Sequence, residues 1–222
     1  FSGVAAWEIV IIGSDKIAEA AAFTARRLGA SVKVFSNSIF ELNKIQKLIG
    51  NPIYSSTIQK KQLLKALMRC DVAIGTITSS TSSESVISED MVLKMKKGAI
   101  IIDVSIDTGG TFQTSELTSH DKSTFVKHDV IHYCVPNIPS RYSRTSSLCL
   151  SNVITPYLVK SVKFGSFENF IRNNNSFKKG VYLYNGLSTK MVLSQILDIK
   201  YNDINNILWN LAIYSFFSLV DF

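Results

Sequence analysis

The chain has 222 residues, enough for one large domain or a domain with an appendage, and its 46% hydrophobic content excludes global disorder. Its net charge of +7 is spread over short, separated groups ("QKKQ", "KMKK", "SRYSR") with no aromatic partners clustered beside them, which argues against a nucleic-acid partner. The three cysteines, Cys70, Cys134 and Cys149, are an odd number without disulfide-framework spacing, as expected of reduced thiols in a cytosolic protein.

The sequence opens at Phe1 without Met or a signal-peptide pattern. A strand begins almost at once, so upstream residues are expected to be missing. The apolar run "EIVIIG" leads into the Ala-rich "DKIAEAAAFTARRLG", which stops on Gly29 as a helix end should. "SVKVFS" is the next strand, and "SIFELNKIQKLIG" the next helix, closing on Gly50. "PIYSS", "KKQLLKALMRC" and "DVAIGTI" continue the strand–helix–strand alternation. A Ser/Thr-rich loop over 78–85 precedes the helical "SEDMVLKMKKG", the strand "AIIIDVS" and a last strand, "DVIHYCV". Apolar runs separated by helices predict parallel strands covered on both faces, that is, an α/β fold with a doubly wound, Rossmann-like sheet.

The rhythm ends after Pro136. A polar connection, "NIPSRYSRTSS", feeds a long helix over about 145–163. Shorter helices follow at 167–172 and 190–197, separated by the strand-like "GVYLY". The expected division is a nucleotide-binding domain over 1–143 and a C-terminal helical appendage over 144–222. The apolar stretch 207–220, with Trp209, Tyr214, Phe216 and Phe217, is shorter than the roughly 20 residues of a membrane span. It is expected to pack on its own domain as a terminal helix or strand.

In an open parallel sheet, ligands bind beyond the carboxyl ends of the strands. The first such loop, "GSDKIA", keeps Gly13 and a small Ala18 but carries Asp15 where a second glycine would let a pyrophosphate approach. The second strand ends on Ser36 where an acid usually holds the adenosine ribose. A bland alternative is that Ser36 and Ser38 only make a turn and helix cap. In "IIDVSIDTGG", Asp103 lies inside an apolar strand, and Asp107 falls past its end beside Gly109 and Gly110. An acid there suits an amine or a nicotinamide, although Asp107 could equally start an Asx turn. His128, His132 and Cys134 share one strand parity, but the histidines would stand roughly 13 Å apart along a strand, so no metal site is expected.

The stretch "MKKGAIIIDVSIDTGGTFQTSELTSHDKSTF…VIHYCVPNIPSRYSRTSSLCLSNVITPYL" resembles the second half of the alanine dehydrogenases, in the family shared with the nicotinamide nucleotide transhydrogenase alpha subunit. The resemblance extends over about 3–205 and is most specific over 95–158. It implies an NAD-binding domain joined to a catalytic domain. The implied reaction is reversible: L-alanine is oxidised to an imine by hydride transfer to NAD, and hydrolysis gives pyruvate and ammonia. The same resemblance implies a cytoplasmic homo-oligomer, a hexamer, with no nucleic-acid or membrane partner. By position, Asp107 matches the acid that assists proton handling beside the nicotinamide. Val104, Val135, Asn137 and Ile138 match residues bordering the nicotinamide end, and Gly13, Lys16 and Ile17 match the pyrophosphate loop. The long helix after Thr145 matches one that returns toward the catalytic domain.

Three positions depart from the pattern. Asp15 stands for a glycine, Ser36 for the ribose acid, and Glu41 for a basic residue. The family's substrate-holding arginine and lysine and its catalytic histidine belong to a half outside this sequence. A carboxylate about 5 Å from one phosphate charge, at an effective dielectric near 20, repels it by about 3 kcal/mol, part of which Lys16 could offset. Losing the ribose carboxylate costs a further ~1–3 kcal/mol, which makes a hundredfold weaker cofactor site plausible. The expectation is therefore the NAD(H)-binding portion of an alanine dehydrogenase, incomplete and inactive alone. The alternative is a degenerate, non-catalytic Rossmann module acting through protein contacts. NADP ranks last, because Glu41 would oppose a 2′-phosphate.

Overall fold

In the computed structural model, which describes residues 3–50, 53–77 and 85–208, the chain divides into two compact units, Phe1–Ser143 and Arg144–Phe222. The first unit is built on strands β1 (Glu8–Ile12), β2 (Ser31–Phe35), β3 (Tyr54–Ser56), β4 (Val72–Gly75), β5 (Ile100–Asp103), β6 (Thr124–Lys127) and β7 (Val130–Tyr133). They form a seven-stranded sheet in the order β3-β2-β1-β4-β5-β7-β6, parallel except for the β6–β7 pair. The chain winds outward from β1 in one direction through β2 and β3, then in the other through β4 and β5. The doubly wound Rossmann-like fold read from the alternating runs is the fold observed.

Strand alternation explains why both faces are covered. Val10 and Ile12 point into one cluster with Leu63 and Leu67 of α3 (Lys60–Leu67) and Met91 and Val92 of α4 (Glu89–Val92). Ile11 points the other way, toward Ala18, Ala22 and Ala25 of α1 (Lys16–Arg27) and Leu42 and Ile45 of α2 (Ile39–Ile49). The three alanines recur at four- and three-residue steps, so one face of α1 is small and lies close on the sheet.

The sequence pattern misses the antiparallel edge. β6 carries no strong apolar run, and its residues alternate between exposed and half-buried. It is paired to β7 through His128 and Asp129, both at positive φ (57° and 59°), the geometry of a two-residue hairpin turn. The helix expected over "SEDMVLKMKKG" is only the four-residue α4.

In the second unit the long helix is α5 (Ser143–Val162), followed by α6 (Phe167–Arg172), α7 (Asn175–Gly180) and α8 (Met191–Leu197). α7, capped by the side chain of Asn174, had not been anticipated. "GVYLY" contributes only the short β8 (Leu183–Tyr184), which pairs with β9 (Leu187–Ser188). Phe170 is buried and packs edge-on against Phe164 and Phe177, at 5.7 and 4.8 Å between ring centres. The loop over 78–84 and the apolar tail from 209 onward lie outside the described residues. Among the described residues no helix is long and apolar enough to cross a membrane.

Candidate functional site

Strand order places a topological switch point between β1 and β4, and the loops after β1, β2, β4, β5 and β7 all emerge at the same edge of the sheet. Every residue singled out from the sequence for cofactor binding or catalysis lies on one of those loops or, for Lys16 and Ile17, in the first turn of the helix that follows. A cavity of about 470 Å³ between Trp7, Asp71, Lys96 and Gly98 opens at the opposite edge. It is lined by the Lys96–Asp71 ion pair (2.8 Å) and lies away from these loops.

The turn after β1 begins at Gly13, whose amide still donates to the Phe35 carbonyl (2.8 Å) as if continuing the ladder. Its φ is +133°, and a Cβ there would lie 2.1 Å from Thr76 Oγ1. Only glycine lets this turn pass so close to the end of β4. Asp15 is the N-cap of α1, its Oδ1 accepting from the Ala18 amide at 2.8 Å. The carboxylate thus takes one of the helix N-terminal donors that a phosphate would otherwise use. Lys16 is exposed and pairs with Glu19 at 3.0 Å, so its charge is partly spent inside its own helix. Ile17 is 47% exposed at the mouth of the turn.

Ser36 is buried at the end of β2. Its Oγ lies 2.7 Å from Ser14 Oγ and accepts from the Ser38 amide at 3.2 Å. Ser38 in turn caps α2, accepting from the Glu41 amide. The turn-and-cap alternative is therefore present in full, with the addition of a hydroxyl contact that ties the β2 end to the phosphate turn. Glu41 pairs with Lys44 at 3.4 Å.

The end of β5 is organised by Asp103, which has no exposed surface. Its Oδ1 accepts from the amide and hydroxyl of Ser105 (3.2 and 2.8 Å). Its Oδ2 accepts from the amides of Thr111 and Phe112 and the hydroxyl of Ser115 (2.9, 3.2 and 2.7 Å). The Asx-type bond to a residue two positions on thus belongs to Asp103, not to Asp107. Thr111 continues the node through Ser105 Oγ (2.8 Å) and the Ile77 amide (3.3 Å). A Cβ on Gly75 would come within 2.5 Å of Thr111, so β4 and this loop meet tightly.

Asp107 rides on that loop, in the short 3-10 turn Ile106–Thr108. It is exposed, and among the described residues no donor bonds its carboxylate. Val104 is held by its amide to the Gly75 carbonyl (2.9 Å). Beyond β7, Val135 is buried, Asn137 adopts the left-handed conformation (φ 52°, ψ 49°), and Ile138 starts a second 3-10 turn. Among these residues only the Gly13–Ser36 side of the site shows direct side-chain contact, through Ser14.

The strand parity assumed for the histidines does not hold. His128 sits in the β6–β7 turn and bonds Glu89 (2.6 Å), whereas His132 is buried and stacked on Phe125 at 4.8 Å. His132 Nδ1 donates to the Val130 carbonyl (3.0 Å), leaving Nε2 to accept from Thr114 Oγ1 (2.9 Å). Burial holds this imidazole below the usual histidine range. Burial likewise pushes the Cys134 thiol up. Among the described residues no group of three or more His, Cys, Asp or Glu is arranged to hold a metal ion.

Sequence reasoning assigned no role to Ser14 and Thr76 and missed Thr111 and Ser115. Ser14 carries no signal in one dimension, because its partner is 22 residues away. Asp103 did signal, as an acid within an apolar strand, since such a group must find several donors. The backbone frame fits a dinucleotide: a glycine turn with no room for a side chain, at the switch point of a doubly wound sheet. Two side chains fit it less well, Asp15 through its charge and Ser36 through its existing partners.

Residues 1–191 match the family described as "Alanine dehydrogenase/PNT, C-terminal domain". The chain is 32% identical over 202 residues to the alanine dehydrogenase of Mycolicibacterium smegmatis, covering 90% of this chain and 54% of that protein. It is 30% identical over 208 residues to alanine dehydrogenase 2 of Staphylococcus aureus strain USA300, covering 93% and 56%. A solved L-alanine dehydrogenase superposes with a TM-score of 0.82 at 26% identity, over 89% of this chain and 55% of that one. A transhydrogenase from Sinorhizobium meliloti shares the fold, with a TM-score of 0.67 at 18% identity over 85% and 51%. The chain spans about half the length of the curated relatives it matches.

Proposed function

This chain belongs to the alanine dehydrogenase/PNT family, in its C-terminal domain, and we propose that it is the NAD(H)-binding portion of an alanine dehydrogenase. The activity proposed for the whole protein is reversible, NAD-dependent oxidative deamination of L-alanine to pyruvate and ammonia. The proposed setting is a cytoplasmic homo-oligomer, a hexamer as the family resemblance implies. The isolated chain is expected to bind cofactor without turning over alanine, because the residues the resemblance assigns to substrate lie in another half of the protein.

The observation that carries the proposal is the shared edge of the Gly13 turn and the Asp107 loop. They follow β1 and β5, which are two strands apart and hence separated by about 10 Å across the sheet. When bound, the cofactor supplies a two-electron hydride acceptor or donor. The rest falls to this chain's own residues. Gly13 gives the diphosphate close backbone approach, with Lys16 and Ile17 at the mouth of the turn. Ser36 and the masked acid of Asp15 stand on the adenosine and diphosphate side. Val104, Val135, Asn137 and Ile138 border the nicotinamide side and limit water there. Asp107, to which no donor among the described residues is bonded, holds or releases a proton at its carboxylate.

Two observations favour a second outcome, a module that keeps the fold and has lost most of its cofactor affinity. Asp15 already occupies the Ala18 amide, and Ser36 is closed onto Ser14. Calorimetric titration of the full chain with NADH separates the outcomes. We expect binding that tightens by about a hundredfold in the double variant Asp15→Gly, Ser36→Asp, since two changes of about 1.4 kcal/mol each give that factor. Asp15→Gly should cost only a few tenths of a kcal/mol of stability, because glycine is a tolerable N-cap. No detectable binding at millimolar NADH in either form would sink the NAD(H) proposal.

A further inference from the structure

We propose that the adenosine end of this site does not discriminate between NAD(H) and NADP(H), and that Ser36 is the residue responsible. The inference rests on the NAD(H)-binding proposal and extends it to cofactor class. In a doubly wound sheet, an acid at the end of the second strand accepts the ribose hydroxyls and repels a 2′-phosphate, whereas an arginine nearby favours the phosphate. The end of β2 reads Ser36-Asn37-Ser38, with neither an acid nor an arginine.

Ser36 presents a neutral hydroxyl, and that hydroxyl is engaged with Ser14 Oγ and the Ser38 amide. It can neither repel a 2′-phosphate nor match the two strong bonds of a carboxylate to a ribose diol. Glu41 was the one sequence feature that counted against a 2′-phosphate. Its carboxylate is paired with Lys44 Nζ at 3.4 Å and is half-buried beside that exposed ammonium, so its field is offset by the pair and partly screened. Among the described residues the basic side chains nearest in sequence to the end of β2 are already paired, Lys44 with Glu41 and Lys33 with Glu8. Lys33, the basic residue within β2, is bound to Glu8 at 2.8 Å near the amino end of the strand.

The departures on the diphosphate side leave this comparison intact. Asp15 and the Lys16–Glu19 pair act on a diphosphate that NADH and NADPH share, so they weaken both and cancel in the ratio of affinities.

The test is parallel calorimetric titration of the full chain with NADH and with NADPH, repeated on Ser36→Asp, with circular dichroism to verify folding. The unsubstituted chain should bind the two cofactors within about tenfold of each other, and Ser36→Asp should shift the ratio toward NADH by tenfold or more. A preference above tenfold for either cofactor in the unsubstituted chain overturns the inference. If NADH alone binds, the NAD(H) proposal still stands. Binding of neither at millimolar concentration overturns both. The unsubstituted ratio decides the matter even where Ser36→Asp fails to fold, and a folded Ser36→Asp with an unchanged ratio removes Ser36 as the determinant.

Discussion

Asp103 receives five hydrogen bonds from residues 105–115 and has no contact with solvent. Three of its donors are backbone amides, whose partners must come from inside the protein once water is excluded. The loop carrying Asp107 is therefore fixed by this carboxylate rather than by its own short 3-10 turn. Asp103→Asn keeps the shape but turns one acceptor into a donor facing donors, which leaves a buried group unsatisfied at a cost of about 2 kcal/mol. Urea denaturation should show the unfolding free energy falling by that amount, read as a lower midpoint at an unchanged slope. An unchanged midpoint would mean that the node does not hold the loop. Asp107→Asn, at an exposed carboxylate that no donor among the described residues bonds, should leave the midpoint where it is.

At the scale of elements, the central strands and their helices were legible because burial on both faces writes continuous apolar runs into β1, β4 and β5. β6 was not, because an edge strand buries little and is specified by its turn, and His128 and Asp129 are not the commonest residues for that turn. For the site, the Gly13 and Asp107 loops were legible from their place after strands. The Ser14–Ser36 and Asp103–Ser115 contacts join residues too far apart in sequence to be seen there. The β7 strand also sets a pH dependence. Burial keeps folded His132 below its ordinary value of 6.5, so as pH falls through 6.5 the unfolded chain takes up a proton that the folded one refuses. Stability must then drop with falling pH, by up to about 1.4 kcal/mol per pH unit, until the folded value is reached. Glu8, Asp71 and Glu89 are held below the usual carboxylate range by bonds to Lys33, Lys96 and His128, so their contribution is present above about pH 4.5 and is lost only in stronger acid. Thermal melts from pH 8 to 5.5 should therefore fall more steeply for the natural chain than for His132→Gln, which keeps an acceptor for Thr114. Parallel curves would exclude His132 as the cause. α5 raises a different question, since it buries none of its residues and shows apolar side chains such as Leu148, Val153, Ile154 and Leu158 on all sides. Cys149 is exposed on this helix, whereas Cys70 and Cys134 are buried and burial pushes the Cys70 thiol up to about 12. A thiol reagent such as Ellman's should titrate one fast cysteine per native chain and three in denaturant, with the fast phase absent from Cys149→Ser.

For the whole molecule, the distribution of buried apolar groups decides which part can stand alone. Both large core clusters, one on each face of the sheet, draw all their members from residues 9–130. The sheet is complete by Tyr133, and the first unit closes at Ser143. A segment of that size lies within the usual range for an autonomous domain and carries its own two-sided core. The second unit holds fewer anchors, with Phe170, Ile171 and Leu208 its buried large apolar residues among those described. A chain cut after Ser143 should fold cooperatively. It should show a single urea transition, coincident by fluorescence and far-ultraviolet circular dichroism, and should keep Cys70 and Cys134 protected from thiol reagents. Because every candidate cofactor residue from Gly13 to Ile138 lies within it, the shortened chain should also retain the NADH affinity of the full chain within about threefold, a difference of less than 1 kcal/mol. Fast labelling of Cys70 or Cys134, or a broad transition that differs between the two probes, would show that the sheet unit needs the helices after Ser143 in order to close its core.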